Sequence, residues 1–329
     1  MQTPKKFSSF SDQVSWISDE KGIKIKDREY AEEMLRQIGY FPLMGGYKHL
    51  FRISNTKKYK AGTSFEEIVS LYKFDAELRE LFFKYLLQIE RQMRSLMSYY
   101  FTEMYGNPSS IYDFASKSKE GVTKARGQIA DALGAKREEI YFTAGGSEAD
   151  NWALKATFEA YKSKGNHIIT TKIEHHAILH TCEYLEKERG AKITYVDVDE
   201  NGIVKLDELE KAITPETILI SVMFANNEIG SIQPIKEIGA IAKEHGILFH
   251  TDAVQAFGQV PINVDELGID MLSSSGHKLN GPKGIGFLYI RKGVKIRSFI
   301  HGGAQERKRR AGTENVPGIV GYGVAAERA

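Results

Sequence analysis

The sequence predicts an α/β fold over residues 106–329, preceded by an all-helical region over residues 1–105. Short β-rich runs alternate with amphipathic segments from about Asn107 onward, a rhythm typical of a mostly parallel sheet with helices on both faces. Before that point, apolar residues recur at helical spacing. More than half of the aromatic residues also fall within residues 1–105, which indicates two regions of different character.

The helical region is predicted from capping residues and from apolar spacing. In chain order, the expected helices are Gln13–Ser18 capped by Ser11-Asp12, a helix capped by Asp27 that ends at Ile38, and a long helix from Thr63 to about Glu103. The apolar stripe of the long helix is interpreted as core or as a partner-facing surface.

Seven strands are predicted in the α/β region, with helices between them. The strands are Glu139–Thr143, His167–Thr171, Lys192–Val196, Ile218–Phe224, Ile247–Thr251, Asp270–Ser274 and Ile285–Ile290. The helices are Gly121–Leu133, Ala177–Lys187, Leu206–Ala212 and Ile235–Glu244. Ligands of such sheets bind at the carboxyl ends of the strands. Polar clusters that follow the strands are therefore the candidate site residues.

Composition narrows the class of protein. Apolar residues make up 42% and charged residues 27%, as in a soluble globular protein. The net charge of +2 argues neither for nor against a nucleic-acid partner, and we do not expect one. The single cysteine excludes an internal disulfide. No apolar run is long enough to span a membrane, and Met1–Lys6 lacks the apolar core of a signal peptide. We expect a cytoplasmic protein without membrane partners, and no metal site is predicted.

The segment Ser273–Tyr289 carries the most informative residue, Lys278. It lies among small and glycine residues that let a flat ligand approach closely, just before a predicted strand. A lysine in this setting can hold an aldehyde as a Schiff base, as pyridoxal 5'-phosphate (PLP) requires. The alternative is a surface lysine in a glycine-rich turn.

Four further polar segments follow strands: Thr143–Asn151, Glu174–His176, Asn226–Gly230 and His250–Gln255. In the first, Gly145 and Gly146 allow backbone amides to approach an anion at a helix start. In the last, Asp252 can pair with a protonated pyridine nitrogen. Each segment alone could be a capped helix, a surface histidine pair or a helix-capping aspartate. Their joint occurrence at strand ends favours a PLP site.

These motifs resemble those of cysteine desulfurases of the NifS/IscS type, which are class V aminotransferase-like PLP enzymes of fold type I. The resemblance covers about residues 105–329. The matching segments are Tyr105–Ser110, Phe142–Asn151, Glu174-His175, Asn226–Gly230, Asp252–Gln255, Ser275–Lys278 and Gly312–Asn315. It implies conversion of L-cysteine, or a related amino acid, to alanine and persulfide sulfur for iron–sulfur cluster or thio-cofactor assembly, and a sulfur-acceptor scaffold protein as a further partner.

The resemblance also implies roles around the cofactor ring. Lys278 would form the Schiff base, and Asp252 would pair with the pyridine nitrogen. Gln255 would contact the ring hydroxyl. His175 would stack on the ring and shuttle protons, which makes Lys278 and His175 the predicted catalytic residues. Asn227 would orient the substrate and the cofactor.

Other residues would hold the phosphate by the same resemblance. They are Gly146, Ser147, Ser275 and His277 within one subunit. Thr313 would reach the phosphate of the neighbouring subunit, which implies a homodimer with shared sites.

Relatives of this type continue into a small domain whose mobile loop carries the persulfide-forming cysteine. Here the sequence ends in a predicted connecting helix, Val316–Ala329, so we expect PLP binding with impaired turnover. Cys182, in a predicted amphipathic helix, is interpreted as a packing residue.

Residues 5–105 resemble the N-terminal part of Abi-type (abortive infection) phage-resistance proteins. The matching segments are Phe10–Val14, Ile38–Tyr40, Gly46–Phe51, Gly62–Ile68, Leu71–Asp75 and Ile89–Arg94. The alternatives to a desulfurase are therefore a phage-defence or RNA-interacting protein, hinted at by the basic cluster Lys57–Lys60, and a non-functional fragment. Tyr100–Gly106 suits both resemblances, which predicts a chimera joined there.

Overall fold

The computed structural model describes residues 9–53, 56 and 58–329, and the chain divides into two compact units, Met1–Ile89 and Glu90–Ala329. The predicted domain boundary between residues 105 and 106 stays a prediction. Met1–Lys6 and Lys57, on which two sequence expectations depend, lie outside the described residues. Among the described residues, no helix combines the length and the apolarity that crossing a bilayer requires.

The first unit is helical, as predicted. Its elements are α1 (Phe10–Asp19), α2 (Arg28–Ile38), a π-helical turn at Phe41–Gly45, α3 (Lys48–Phe51) and the first part of α4 (Phe65–Thr102). Its core is apolar and includes Ile17, Leu35 and Phe65, each with no exposed surface. Packing of such amphipathic faces supplies most of the stability of short helices.

Of the two helix caps predicted in this unit, one is confirmed and the other is wrong. Asp27 caps α2, since its carboxylate accepts the Tyr30 N–H at 3.0 Å. The prediction that Ser11-Asp12 caps α1 is wrong. Ser9 is the cap: its hydroxyl accepts the Asp12 N–H and the Asp12 carboxylate accepts the Ser9 N–H, both at 3.1 Å. Asp12 thus closes a reciprocal capping box from inside the helix.

The second unit contains a seven-stranded sheet. Its strands are β1 (Ile140–Thr143), β2 (His167–Thr171), β3 (Lys192–Val196), β4 (Thr217–Ser221), β5 (Leu248–Asp252), β6 (Met271–Ser275) and β7 (Gly286–Ile290). The order across the sheet is β1-β7-β6-β5-β4-β2-β3. The strands from β6 to β3 pair in parallel, whereas β7 runs antiparallel to both of its neighbours, β6 and β1. The predicted mostly parallel sheet is confirmed.

Helices connect and cover these strands. They are α5 (Asp113–Asp131), α6 (Gly146–Tyr161), α7 (His176–Arg189), α8 (Leu206–Lys211), α9 (Ile235–Glu244), α10 (Gln305–Lys308) and α11 (Val316–Arg328). Every residue of β1, β2, β4, β6 and β7 is buried, whichever way its side chain points. Burial of alternate residues on both faces means that both faces are covered, as the sequence rhythm predicts.

The strand directions decide where functional side chains gather. Because β1 and β6 are both antiparallel to β7, β1 points in the same direction as the parallel strands β2 to β6. The carboxyl ends of β1, β2, β4, β5 and β6 therefore meet at one edge of the sheet. The polar segments singled out in the sequence follow these five ends.

Candidate active site

A cavity of about 230 Å³ lies at this edge of the sheet. Its lining includes nine of the ten predicted site residues: Gly146, Ser147, His175, Asn227, Asp252, Gln255, Ser275, His277 and Lys278. Asp150, Met223, Ala225 and Val254 complete the lining, and the sequence reasoning did not single these four out. The structure thus brings together residues that are up to 132 positions apart, from Gly146 to Lys278.

One end of the cavity is suited to an anion. Helix α6 begins there at Gly146, directly after β1, and the start of a helix carries a partial positive charge. A side chain at Gly146 would bring its Cβ to 2.6 Å from the Val254 Cγ2, closer than two carbons can approach. Glycine at this position therefore lets the helix start lie against the cavity wall.

Ser275 and His277 lie at the same end. The Ser275 hydroxyl is 2.9 Å from the Nδ1 of His277, a hydrogen bond that fixes the imidazole. Partial burial, helped by the nearby charges of Lys278 and Lys283, lowers the pKa of His277. These effects favour a neutral imidazole, whereas an anion beside the ring would favour the protonated one.

The His175 ring is held by a hydrogen bond from the backbone of the helix that it caps. It caps α7, and its Nδ1 accepts the Ala177 N–H at 3.1 Å. Because Nδ1 acts as the acceptor, the proton of the neutral ring is on Nε2. The side chain is exposed to the cavity, so this tautomer offers a donor there.

Two buried carboxyls form the inner part of the site. Asp252 ends β5 and accepts the Val254 N–H at 2.9 Å, and Asp150 lies one turn into α6. One oxygen of each carboxyl and a ring nitrogen of His175 lie within 4.8 Å of one another. Burial raises the pKa of both carboxyls, and for Asp150 the nearby Asp252 raises it further.

A polar layer lies behind this pair. His250 is fully buried; its Nδ1 is 2.9 Å from the Ser221 hydroxyl, and its Nε2 is 2.9 Å from the Ser273 hydroxyl. Burial lowers the pKa of His250 to about 3, so the ring is neutral. His250 and Asp252 are two positions apart on one strand and share its face. That spacing, and the four-residue spacing of Gly146 and Asp150 on α6, could have revealed both missed residues.

The predicted Schiff-base lysine, Lys278, lies in a 3₁₀ turn, Gly276–Leu279, that follows β6. Gly276 is needed there, since a Cβ would contact the Pro282 carbonyl oxygen at 3.0 Å and the Ile285 Cγ2 at 3.1 Å. Lys278 is exposed to the same cavity that Asp252 lines. The tight turn therefore directs the lysine amine to the edge where the strands end.

The loop after β4 is tied to its neighbour. The Asn226 amide donates to the Ile173 carbonyl at 2.9 Å, and its oxygen accepts the N–H groups of Glu228 and Ile229. This places the adjacent Asn227 at the cavity, where it is exposed. Asn226 is therefore a structural residue and Asn227 the one available to a ligand.

Thr313 is the predicted site residue that the cavity does not include. It is exposed and lines a separate, smaller cavity together with Arg310 and Gly312. Arg310 pairs with Glu148 in the first turn of α6, with its Nε 2.7 Å from the Glu148 Oε1. The Thr313 segment is thus fixed beside the start of α6.

Cys182 is a core residue. It has no exposed surface and belongs to the apolar core of the sheet unit. Burial, with smaller effects from Glu174 and Glu186, raises its pKa to about 12. The side chain is a packed thiol.

A lysine, a buried aspartate and a helix start suited to an anion lie together at the carboxyl edge of a mostly parallel sheet, which is the arrangement of α/β proteins with a site for an organic phosphate cofactor. The chain belongs to the aminotransferase class-V family, whose sequence pattern matches residues 88–328. Residues 1–87 lie outside this match, so the resemblance to Abi-type proteins stays a prediction.

Curated proteins with similar sequences include cysteine desulfurases. The chain is 62% identical over 241 residues to "Cysteine desulfurase IscS" of Methanosarcina thermophila, which covers 73% of this chain and 59% of that protein. It is 58% identical over 232 residues to "Putative cysteine desulfurase IscS 1" of Bacillus subtilis, covering 70% and 61%. The chain therefore spans about three fifths of the length of these curated relatives.

Solved structures show the same fold. A "NIFS-like protein" superposes with a TM-score of 0.70 at 46% identity, covering 72% of this chain and 65% of that one. A structure titled "SspA in complex with cysteine" superposes with a TM-score of 0.69 at 44% identity, covering 72% and 68%. The predicted PLP fold-type-I architecture is confirmed.

PLP is the cofactor of this family, and the cavity fits it. An anion-binding helix start without room for a Cβ, a lysine and a buried carboxylate all line one cavity. These are the groups that a phosphate, an aldehyde and a pyridine nitrogen require.

Proposed function

We propose that residues 106–329 form the PLP-binding part of a cysteine desulfurase. The observation that carries this proposal is the single cavity that gathers Lys278, Asp252, His175 and the α6 start from four separate segments of the chain. The high identity to cysteine desulfurases over the same residues supports it.

Each residue has a chemical task in this proposal. When bound, PLP supplies an electron sink that stabilises negative charge on the carbon beside a substrate amine. Lys278 would hold the aldehyde and move a proton at its Nζ. Asp252 would face the ring nitrogen with a negative charge, and Gln255 would bind the ring hydroxyl. His175 would stack on the ring and move a proton at its Nε2.

The remaining predicted residues would bind the phosphate of PLP and orient the cofactor and the substrate. Gly146, Ser147, Ser275 and His277 would hold the phosphate at the helix start, where amides and hydroxyls donate hydrogen bonds. Asn227 would orient the cofactor and an L-cysteine substrate.

The sulfur-accepting step needs a thiolate, because the thiolate is the nucleophile. Cys182 does not provide one, since its thiol is buried and its pKa is raised to about 12. In this proposal the sulfur acceptor is therefore a cysteine other than Cys182. That cysteine would pass the sulfur on to a scaffold protein for iron–sulfur assembly.

Covalent trapping tests the proposal. The full chain is mixed with PLP, reduced with borohydride, digested and mapped by mass spectrometry. We expect the label on Lys278 and an absorbance band that Lys278→Ala removes. Lys283→Ala is the matched control, because Lys283 lies in the same glycine-rich segment but outside the cavity lining. Label on another lysine, or a band that survives Lys278→Ala, would overturn the assignment.

The predicted homodimer can be tested through Thr313. If Thr313 serves the partner's site, a mixture of Lys278→Ala and Thr313→Ala chains forms hybrid dimers with one intact site. PLP binding that each variant lacks alone then returns on mixing. Binding that stays lost, in chains shown to be mixed dimers by size and mass, would place Thr313 outside the partner's site.

A further inference from the structure

Asp150 is a buried carboxyl that the proposed chemistry does not use. Its exposed fraction is 1%, and its Oδ1 has no hydrogen-bond partner among the described residues. An ionised carboxylate with an unpaired oxygen is costly in such a setting. The side chain lines the cavity that contains Asp252, so its charge state matters to the site.

Among the described residues, no lysine or arginine forms an ion pair with the Asp150 carboxyl. The nearest ring, His250, has its Nε2 3.8 Å from the Asp150 Oδ1, but its pKa is lowered to about 3 and it is neutral. The Ser273 hydroxyl gives a hydrogen bond that lowers the pKa of Asp150, but burial and Asp252 raise it more. The other titratable groups around the pair are Glu174, His175, His277 and Lys278.

Asp252 is better placed to hold a negative charge. Burial raises its pKa, but the Val254 N–H that it accepts at 2.9 Å lowers it. Two carboxyls within 4.8 Å in a buried site do not both ionise readily, and they titrate as a pair. The hydrogen bonds therefore place the proton of the pair on Asp150.

We propose that Asp150 is a positioning residue that shares a proton with Asp252 and holds it, so that Asp252 keeps its negative charge toward the cavity. The role of this charge in pairing with a cationic ring nitrogen of PLP rests on the proposed function. The proton arrangement itself depends only on the side chains of this chain. A neutral Asp150 keeps one net charge beside the ring instead of two.

Carboxyl-carbon NMR of the full chain labelled with ¹³C at the aspartate side chains tests this without cofactor. At neutral pH we expect the signal of a protonated, buried aspartate. Asp150→Asn, which matches the shape of the protonated acid, removes that signal. The matched control is Asp270→Asn, a carboxyl that burial also shifts but that lies outside the cavity lining; it leaves the signal in place. Absence of the signal in the natural chain, or its survival in Asp150→Asn, overturns the proposal.

A second variant covers the case in which Asp150→Asn does not fold. Ser273→Ala removes the hydroxyl that lowers the pKa of Asp150, so the midpoint of the same signal moves to higher pH. An unchanged midpoint overturns the proposal as well. Failure of the natural chain to bind PLP, with these signals as expected, counts against the proposed function and not against the carboxyl pair.

Discussion

Glu174, directly before His175, gives a sharp prediction about stability and pH. Its carboxyl is buried, and its Oε1 accepts both the Thr171 hydroxyl at 2.7 Å and the Met223 N–H at 2.9 Å. Its Oε2 has no partner among the described residues. Burial raises the pKa of Glu174 from 4.5 to about 8, so the folded chain holds it protonated at neutral pH.

The sign of the effect follows from proton linkage. Between the unfolded pKa of 4.5 and the folded pKa of about 8, the folded state binds a proton that the unfolded state has lost. The stability from this group is therefore complete below the unfolded pKa and declines as the pH rises through this range. The slope is about 1.4 kcal/mol per pH unit in the middle of this range and falls near the folded pKa, which gives roughly 2 kcal/mol between about pH 6 and about pH 8.

Glu174→Gln removes the titration and keeps the acceptor oxygen. We expect the variant to gain stability over the natural chain by that slope as the pH rises. Urea unfolding can be followed by the fluorescence of Trp152, which lies in the core of the sheet unit. A Trp16→Phe background makes Trp152 the sole tryptophan, since the chain has two.

Glu183→Gln is the matched control for this experiment. Glu183 is exposed on α7, and its hydrogen bond with Lys187 lowers its pKa. It stays ionised across the range, so its variant should differ from the natural chain by a constant amount. Stability curves for Glu174→Gln that run parallel to those of the natural chain would refute the assignment of a buried, protonated Glu174.

Three further outcomes follow from the site. Gly146→Ala should lower the free energy of unfolding by about 1 to 3 kcal/mol through overpacking, and Val254→Ala in the same chain should restore most of it, as urea titration would show. Cys182 should resist Ellman's reagent until the chain unfolds, because its thiol is buried; rapid labelling of the folded chain would contradict its packing role. Affinity for inorganic phosphate, measured by calorimetry, should rise as the pH falls and protonates His277, and His277→Gln should flatten that dependence.

Most of the strands could be predicted because they are short buried runs between turn residues. The main difference is at β4, predicted as Ile218–Phe224 but found as Thr217–Ser221. The apolar residues Val222, Met223 and Phe224 are buried beyond the end of β4, where the backbone N–H groups of Val222 and Phe224 still donate to β5. Apolarity reports burial and does not distinguish a strand from a buried loop.

The positions of Lys278 and Asp252 at one cavity were predictable, because each residue has a distinctive chemistry and lies at the end of a strand. Asp150 and His250 escaped because each is an ordinary residue inside a regular element. Their importance depends on where they lie relative to Asp252: His250 shares its face of β5, whereas Asp150 reaches it from α6. Thr313 differs again, since a role across a subunit boundary depends on a partner chain.

The charges of the cavity constrain how a ligand can lie in it. The start of α6, Ser275 and His277 present hydrogen-bond donors at one end, whereas Asp252 presents a carboxylate elsewhere in the same cavity. A ligand with an anionic group and a separate cationic ring atom satisfies both, and its reversed orientation would place like charges together. A second ionised carboxyl at Asp150 would also attract stray cations to the inner part of the site. A neutral Asp150 therefore makes the cavity more selective for a ligand that carries one positive charge at the ring and a negative group at the helix start.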